Sequence, residues 1–171
     1  MRIELSQIPP EGLDLALPEE VIDLGEPADP WVGPAAIGAE LHVGRFGRGV
    51  LISGSFRGGV ALICSRCLEP FRFQGEERFH LYCEPAPQGP SLEEEHELAD
   101  DDLDVAYLER GQIDTDQLLR ENMLLTLPVQ PLCREDCHGL CPRCGTNLNH
   151  GQCACTEVRV DPRMQILRKL L

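Results

Sequence analysis

The chain has 171 residues, of which 42% are apolar and only 5% aromatic, so it can bury one ordinary core built mainly from aliphatic side chains. No stretch approaches about 18 consecutive apolar residues, and the first residues lack a signal-peptide pattern, which predicts a cytoplasmic protein without a membrane segment. The net charge of −14 excludes a uniformly basic nucleic-acid-binding protein, but residues 44–78 and 133–171 carry net charges of +3 and +2.

The N-terminal segment, residues 1–35, begins with Ile3, Leu5 and Ile8 and continues through a stretch rich in proline and acidic residues. This pattern predicts a short first strand followed by an irregular segment.

Residues 36–83 alternate apolar and polar side chains with the period of two that is typical of β-strands. Glycines at residues 44–49 predict one turn, and Gly58 and Gly59 predict a tight hairpin. Cys64 and Cys67 fall between two predicted strands, which indicates a knuckle at the end of an antiparallel sheet.

Residues 84–112 are expected to be the least structured region, because prolines and glycines interrupt the strand pattern. Eight carboxylates follow one another at residues 93–104. Such a run is typical of a solvated loop, and a Mg²⁺ or Ca²⁺ site is the less favoured alternative.

Residues 113–126 give the clearest helix signal. Asp114 is a suitable N-cap, and Gln117 three residues later makes a capping-box pattern. Ile113 and Leu118 have the spacing of a hydrophobic staple, and Pro128 prevents the helix from continuing.

These elements together predict an α+β fold: an antiparallel β-sheet or a partly open barrel with one main helix. Residues 36–132 form the predicted β-rich core with its acidic loop and capping helix. Residues 133–171 form a Cys-rich segment that ends in a short helix, for which Asp161 is the expected cap.

Eight of the nine cysteines occur as four close pairs. Two thiolates from one tight turn form half of a tetrahedral zinc site, so this pattern predicts two structural zinc ions. The predicted ligands are Cys64, Cys67, Cys133, Cys137, Cys141, Cys144, Cys153 and Cys155. Cys83 stands alone and is predicted to be a buried, small apolar residue.

Other uses of the cysteines are less favoured. Disulfides are rare in a reducing cytoplasm, and Cys64 and Cys67 do not begin a helix as a thioredoxin-like redox pair does. The iron–sulfur spacing of bacterial ferredoxins is absent. No Cys-His or Ser-His-Asp arrangement is visible, so the chain is not expected to be an enzyme.

Loop length predicts how the eight cysteines divide. Only eight residues separate Cys144 from Cys153, so the four most C-terminal ligands can share one ion at little entropic cost. The pair Cys64 and Cys67 then shares the second ion with Cys133 and Cys137. The crossed arrangement, in which Cys64 and Cys67 face Cys141 and Cys144, remains an alternative.

The knuckle Cys64-Ser65-Arg66-Cys67-Leu68-Glu69-Pro70-Phe71 resembles the signature of the YceD family, the large ribosomal RNA subunit accumulation proteins. Further matching stretches follow in the same order: Leu125-Thr126-Leu127-Pro128, Cys137 to Gly145, Asn147-Leu148-Asn149, Cys153-Ala154-Cys155 and Asp161-Pro162-Arg163. The resemblance covers roughly residues 36–171. It implies a bacterial cytoplasmic protein that is needed for accumulation of 23S rRNA and hence for biogenesis of the large subunit.

Two modes of action remain open. One is direct binding of rRNA or an assembly intermediate, because both mildly basic regions contain the paired cysteines and arginine suits phosphate contacts. The candidate contacts are Arg45, Arg48, Arg57, Arg66 and Arg143, with Arg163 and Arg168 less favoured. The other is an adaptor whose acidic surface recruits a ribosomal or rRNA-processing protein. These arginines would then only pair with neighbouring carboxylates.

Overall fold

The computed structural model describes residues 1–25, 31–86 and 105–155. Within them, two sheets are followed by one α-helix. The strands are β1 (Arg2–Glu4), β2 (Leu13–Ile22), β3 (Trp31–Phe46), β4 (Gly49–Ile63), β5 (Pro70–Pro85), β6 (Val105–Leu108) and β7 (Gln112–Asp114). The helix α1 is Thr115–Thr126, and short 3-10 turns lie at Leu5–Gln7 and Glu109–Gly111.

The larger sheet has the strand order β2-β3-β4-β5-β6, and the smaller sheet pairs β1 with β7. Strands β2 to β5 are antiparallel to their neighbours, whereas β6 runs parallel to β5. The predicted α+β fold with an antiparallel sheet is confirmed. Of its two predicted forms, the described residues adopt the open sheet and not the barrel.

The core lies between one face of the larger sheet and α1. Along β4, Ile52, Phe56 and Leu62 are at most 2% exposed, because alternate residues of a strand point to the same face. Leu119 and Met123 of α1 belong to the same cluster of buried side chains. The alternation predicted for residues 36–83 therefore describes the strands that form the core.

Gly58 and Gly59 lie inside β4, so the hairpin predicted there is wrong. Gly58 pairs with Ile37 of β3. A Cβ atom on Gly58 would lie 2.9 Å from Ile37 Cγ1 and 3.0 Å from the carbonyl oxygen of Ala36. Glycine is needed at this position because the neighbouring strand approaches closely, and not because the chain turns.

The two connections around β4 are those expected from the sequence. Strand β3 ends at Phe46 and β4 begins at Gly49, so the turn falls within residues 44–49 but is shorter than predicted. Gly47 has a φ of 57°, a left-handed conformation that favours glycine. Cys64 and Cys67 lie in the connection from β4 to β5, which is the predicted knuckle.

Three strands, β2, β6 and β7, lie where the sequence analysis expects none, and β7 covers the start of the segment predicted to be a helix. Strand β2 occupies part of the segment predicted to be irregular and pairs with β3. Its first leucines alternate with other residues, so a strand signal is present between the prolines and acidic residues. Strand β6 lies in the region expected to be least structured. The acidic run at residues 93–104 lies outside the described residues.

Helix α1 begins at the predicted cap. Asp114 Oδ1 accepts the backbone N–H groups of Asp116 at 3.1 Å and Gln117 at 3.3 Å. The Gln117 side chain bonds to the next helical turn, so the reciprocal half of the capping box does not form. Ile113 and Leu118 are both buried on either side of the cap, as the predicted staple requires.

The first residues of the chain belong to the smaller sheet. Strand β1 pairs with β7, which joins the first residues to the segment that precedes α1. The helix predicted at residues 161–171 lies outside the described residues, and the segment boundaries at residues 35 and 132 stay predictions. No helix in the described part of the chain is long and apolar enough to cross a lipid bilayer.

Candidate metal centres

The knuckle between β4 and β5 meets the chain that follows α1, and this meeting forms the inner site, Cys64, Cys67, Cys133 and Cys137. The sulfur atoms of Cys64 and Cys137 are 3.8 Å apart, and those of Cys67 and Cys133 are 3.7 Å apart. All four sulfur atoms lie within 4.8 Å of one another. The inner site is largely enclosed, since three of its cysteines are at most 3% exposed.

These separations fit a bound metal ion. Zinc–sulfur bonds of about 2.3 Å in a tetrahedron place the sulfur atoms about 3.8 Å from one another. A disulfide would bring two sulfur atoms to about 2.05 Å, and all nine cysteines are unpaired. A ligand set of four cysteine thiols is typical of a structural zinc site.

Hydrogen bonds fasten the C-terminal chain to the knuckle. The backbone N–H of Ser65 donates to the carbonyl of Pro131 at 2.8 Å. Arg66 donates from its guanidinium to the carbonyl of Cys137 at 2.9 Å, and its own carbonyl accepts the N–H of Leu140 at 3.1 Å. The position of Cys137 is therefore set by the first knuckle as well as by its own turn.

A metal ion binds cysteines as thiolates, but the surroundings of the inner site favour the thiolate form of only some of its four cysteines. Burial opposes ionisation of Cys64, but backbone donors at Cys133, Cys67 and Arg66 outweigh it and lower the pKa of Cys64 to about 6. Burial and the neighbouring thiol groups raise the pKa of Cys133 to about 12. Because like charges repel, four thiolates here need a cation among them.

The outer site contains Cys141, Cys144, Cys153 and Cys155, whose sulfur atoms also lie within 4.8 Å of one another. The N–H of Gly145 donates to the carbonyl of Cys141 at 2.9 Å and closes the knuckle. Cys144 is exposed, in contrast to the cysteines of the inner site.

The outer site resembles the inner one in that its surroundings lower the pKa of some thiols and raise the pKa of another. The Thr146 hydroxyl, 3.2 Å from Cys144 Sγ, and the backbone N–H of Thr146 lower the pKa of Cys144 to about 6. Backbone N–H groups of Cys144 and Arg143 lower the pKa of Cys141. The adjacent Cys144 sulfur raises the pKa of Cys155 to about 12. One cation would relieve this repulsion in the outer site as well.

The cysteines divide as loop length predicts, and the crossed arrangement is wrong. Sequence analysis missed a further group that contacts the inner site: Asn149 Nδ2 donates to Cys137 Sγ at 3.3 Å. Asn149 lies between the two ligand pairs of the outer site. The available signal was a short loop with several polar side chains between metal-ligand pairs, since such side chains often support ligands.

Three of the candidate RNA-binding arginines have partners within the protein. Arg45 donates to the carbonyl groups of Ile8 and Leu5, and Arg48 pairs with Glu84 at 2.8 Å. Arg66 donates to the carbonyl of Cys137 in the inner site.

Of the other four candidate arginines, two lie within the described residues and two lie outside them. Arg57 and Arg143 are exposed, and no side-chain hydrogen bond involves either of them within residues 1–25, 31–86 and 105–155. Arg163 and Arg168 lie outside the described residues. The ninth cysteine, Cys83, is 1% exposed, as predicted, and burial raises its pKa to about 11.

The geometry defines a class of β-sheet proteins whose C-terminal chain contributes to two four-cysteine clusters, of which the inner one also includes two cysteines from the sheet knuckle. The chain belongs to the YceD family: the model of the large ribosomal RNA subunit accumulation protein YceD matches residues 52–171. That match includes all eight cysteines of the two sites.

Curated mycobacterial proteins are similar to the chain. The uncharacterized protein Rv2926c of Mycobacterium tuberculosis is 30% identical over 138 residues, which are 80% of this chain and 63% of that protein. The uncharacterized protein ML1660 of Mycobacterium leprae is 30% identical over 115 residues, 67% of this chain and 50% of that protein. The chain thus spans about half to two thirds of the length of these relatives. No solved structure matches it.

Proposed function

We propose that the chain is a non-enzymatic factor in large-subunit biogenesis in the bacterial cytoplasm, and that cells need it to accumulate 23S rRNA. Membership of the YceD family is the observation that carries this proposal, because the family is described by accumulation of large-subunit ribosomal RNA. The activity of the whole protein is part of the proposal, since the chain covers only part of its relatives' length.

Two structural zinc ions belong to the same proposal. The two groups of four cysteines support it, as do the sulfur separations of 3.7 and 3.8 Å in the inner site. Zinc would neutralise thiolate charge and fasten the C-terminal chain to the sheet. A site closed by four thiolates leaves no position for substrate, so the ions have no catalytic part in the proposal.

In this proposal rRNA or an assembly intermediate binds directly to exposed arginines. Arg57 lies on the face of β4 opposite to the buried Phe56. Arg78 pairs with Ser55 across β4 and β5, which puts Arg78 on the same outer face. Arg143 lies in the outer knuckle, where a turn braced by metal can hold a guanidinium against a phosphate at small entropic cost.

A second candidate function is a protein adaptor, which a groove between β2 and α1 favours. The groove has a volume of about 550 Å³ and is lined by Glu20, Asp23, Asp116 and Glu121, among others. Such a surface suits a basic segment of a ribosomal or rRNA-processing protein.

The two functions are tested with two variants that remain folded and loaded with metal. The first replaces Arg57, Arg78 and Arg143 with alanine, and the second is Glu20→Gln with Glu121→Gln. We expect the arginine variant to bind rRNA fragments more weakly. The slope of log K against log salt should fall by about 1 for each phosphate that the variant no longer neutralises. Cells that carry only this variant should accumulate less 23S rRNA.

The glutamine variant is the matched control. Under direct RNA binding, it should leave both the rRNA affinity and the 23S rRNA level unchanged. Normal 23S rRNA in the arginine variant, together with a deficit in the glutamine variant, would reject direct RNA binding and support the adaptor. Normal 23S rRNA in cells that lack the protein altogether would reject the biogenesis role itself.

A further inference from the structure

The loop between the two ligand pairs of the outer site also reaches the inner site. Asn149 lies in this loop, and its Nδ2 donates to Cys137 Sγ at 3.3 Å. Its Oδ1 accepts the backbone N–H of His138 at 2.9 Å and the guanidinium of Arg134 at 2.8 Å. One side chain from the outer loop therefore bonds to a sulfur atom of the inner site and to two donors beside it.

The partners of the Asn149 amide fix its orientation. A backbone N–H and a guanidinium can only donate, so the atom that faces them must be the oxygen. The Nδ2 group is then directed at Cys137. The backbone places the residue as well, because the N–H of Asn149 donates to Asn147 Oδ1 at 2.9 Å and the N–H of Leu148 donates to the carbonyl of Gly139 at 2.9 Å.

From this arrangement we infer that the two cysteine sites load metal as a coupled pair, and that Asn149 is the positioning residue that couples them. The inference rests on the proposed metal binding at both sites. Four thiolates around a divalent ion carry excess negative charge, which an N–H donor to one sulfur atom partly offsets. Asn149 supplies this donor to the inner site from a segment that the outer ion would close.

The coupling operates in both directions. An ion in the outer site fixes the two ends of the loop, so Asn149 loses fewer conformations when it bonds to Cys137. An ion in the inner site fixes Cys137 and, through it, the middle of the outer loop. Because coupling between binding sites is reciprocal, each ion strengthens the binding of the other by the same factor.

The neighbouring residue His150 provides a matched comparison. His150 Nε2 lies 2.9 Å from Glu69 Oε1 in the first knuckle, so His150 also joins the outer loop to the inner site. The side chains of His150 and Glu69 are both exposed, and neither of the two atoms in this contact bonds to a cysteine sulfur; the other Glu69 oxygen, Oε2, lies 4.0 Å from Cys67 Sγ. A weak surface contact of this kind should carry little of the coupling.

The test compares metal binding to four proteins: the wild type, Cys133→Ser without the inner site, Cys155→Ser without the outer site, and Asn149→Ala. Each is titrated with Zn²⁺ against a chromophoric chelator, and Asn149→Ala is also combined with Cys133→Ser and with Cys155→Ser. We expect the overall two-ion association constant of the wild type to exceed the product of the two single-site constants by about tenfold or more. In the Asn149→Ala series this excess should fall to about twofold or less.

Cobalt(II) provides a readout that a merely structural role of Asn149 would not change. Loss of an N–H donor raises the energy of the sulfur electrons, so the thiolate-to-cobalt charge-transfer band should move to longer wavelength in Asn149→Ala. In His150→Ala, the band and the coupling excess should both stay at the wild-type values. If Cys133→Ser does not fold, the overall constant of Asn149→Ala against the wild type and the cobalt band decide the question.

If the wild type binds two ions but its two-ion association constant equals the product of the single-site constants, the coupling is rejected and metal binding stands. An equal loss of the excess in Asn149→Ala and His150→Ala would overturn the role of Asn149. The absence of any metal binding would instead reject the zinc part of the proposed function.

Discussion

The inner and outer sites each bring four cysteine side chains together, but their surroundings differ. In the inner site, Cys64 and Cys137 are at most 3% exposed, and Phe71 and Leu132 pack against the cluster. Its ligands come from two segments on either side of α1. The outer site draws its four ligands from one short segment, and Cys144 is exposed. The inner ion would therefore hold two parts of the fold together, whereas the outer ion would organise a single loop.

The largest expected difference between the sites concerns stability. Cys64→Ser should remove one zinc ion and lower the free energy of unfolding by about 5 kcal/mol or more, since a structural zinc site contributes on the order of 10 kcal/mol. Cys144→Ser should also remove one ion but change unfolding of the sheet by only about 1 kcal/mol. Zinc analysis and chemical denaturation followed by circular dichroism measure both effects. Equal destabilisation by the two variants would contradict the comparison.

Cys83 belongs to neither site and should respond to pH instead of to chelator. Burial raises its pKa from 9.0 to about 11, so the fold favours the neutral thiol. This stabilisation is fully present below pH 9 and is lost as the pH rises through 11. The rise in the pKa of Cys83 from 9.0 to about 11 corresponds to about 3 kcal/mol of unfolding free energy. Denaturation of the wild type and Cys83→Ala should thus show a gap in stability that narrows between pH 8 and pH 11, and a constant gap would exclude this role.

Alkylation should separate the two sites by accessibility. In the zinc-loaded protein we expect Cys144 to react with a small alkylating reagent on the order of tenfold faster than Cys64, because only the outer ligand is reached without opening the fold. Mass spectrometry of peptides measures each rate. Labelling after unfolding in the presence of chelator is the control, and there the difference should disappear. Faster labelling of Cys64 than of Cys144 in the zinc-loaded protein would mean that the inner site is the more accessible one.

The smallest expected difference comes from a matched pair of glycines. Gly139 and Gly145 have φ values of 71° and 73°, so alanine at either position costs about 1 kcal/mol of backbone strain. A Cβ on Gly139 would lie 3.0 Å from the carbonyl oxygen of Arg66, whereas a Cβ on Gly145 would meet nothing within 4 Å. Gly139→Ala should therefore be about 1 kcal/mol more destabilising than Gly145→Ala in chemical denaturation. A larger loss from Gly145→Ala would mean that the outer knuckle is the more tightly packed one.

Local features of the sequence predict much of the candidate sites. The division of the cysteines follows from the spacing between ligand pairs, because a short loop closes at little entropic cost. The cap bonds at Asp114 join residues that are two and three positions apart in the chain, and the structure contains both of them. The alternation in β3, β4 and β5 records which face is buried, so it is visible in the sequence as well.

Features that depend on distant residues are not predictable in the same way. Gly58 resembles a turn residue in isolation, and only its closeness to Ile37 explains it. A count of charges cannot tell which carbonyl group a guanidinium contacts, so the bonds of Arg45 and Arg66 to the protein backbone are not predictable from local charge. The bond from Asn149 to Cys137 likewise needs the folded chain.

The inner site also bears on how the protein is made. Cys67 and Cys133 are 66 positions apart in the chain, and Cys64 and Cys137 are 73 apart. Domains generally fold as the chain emerges from its N-terminus. The first two thiols of the inner site therefore leave the ribosome well before the other two, and until then they can offer an ion only half of a coordination shell. Full ligation of an ion at the inner site, and with it the attachment of the C-terminal chain, would therefore be a late event in the synthesis of the molecule.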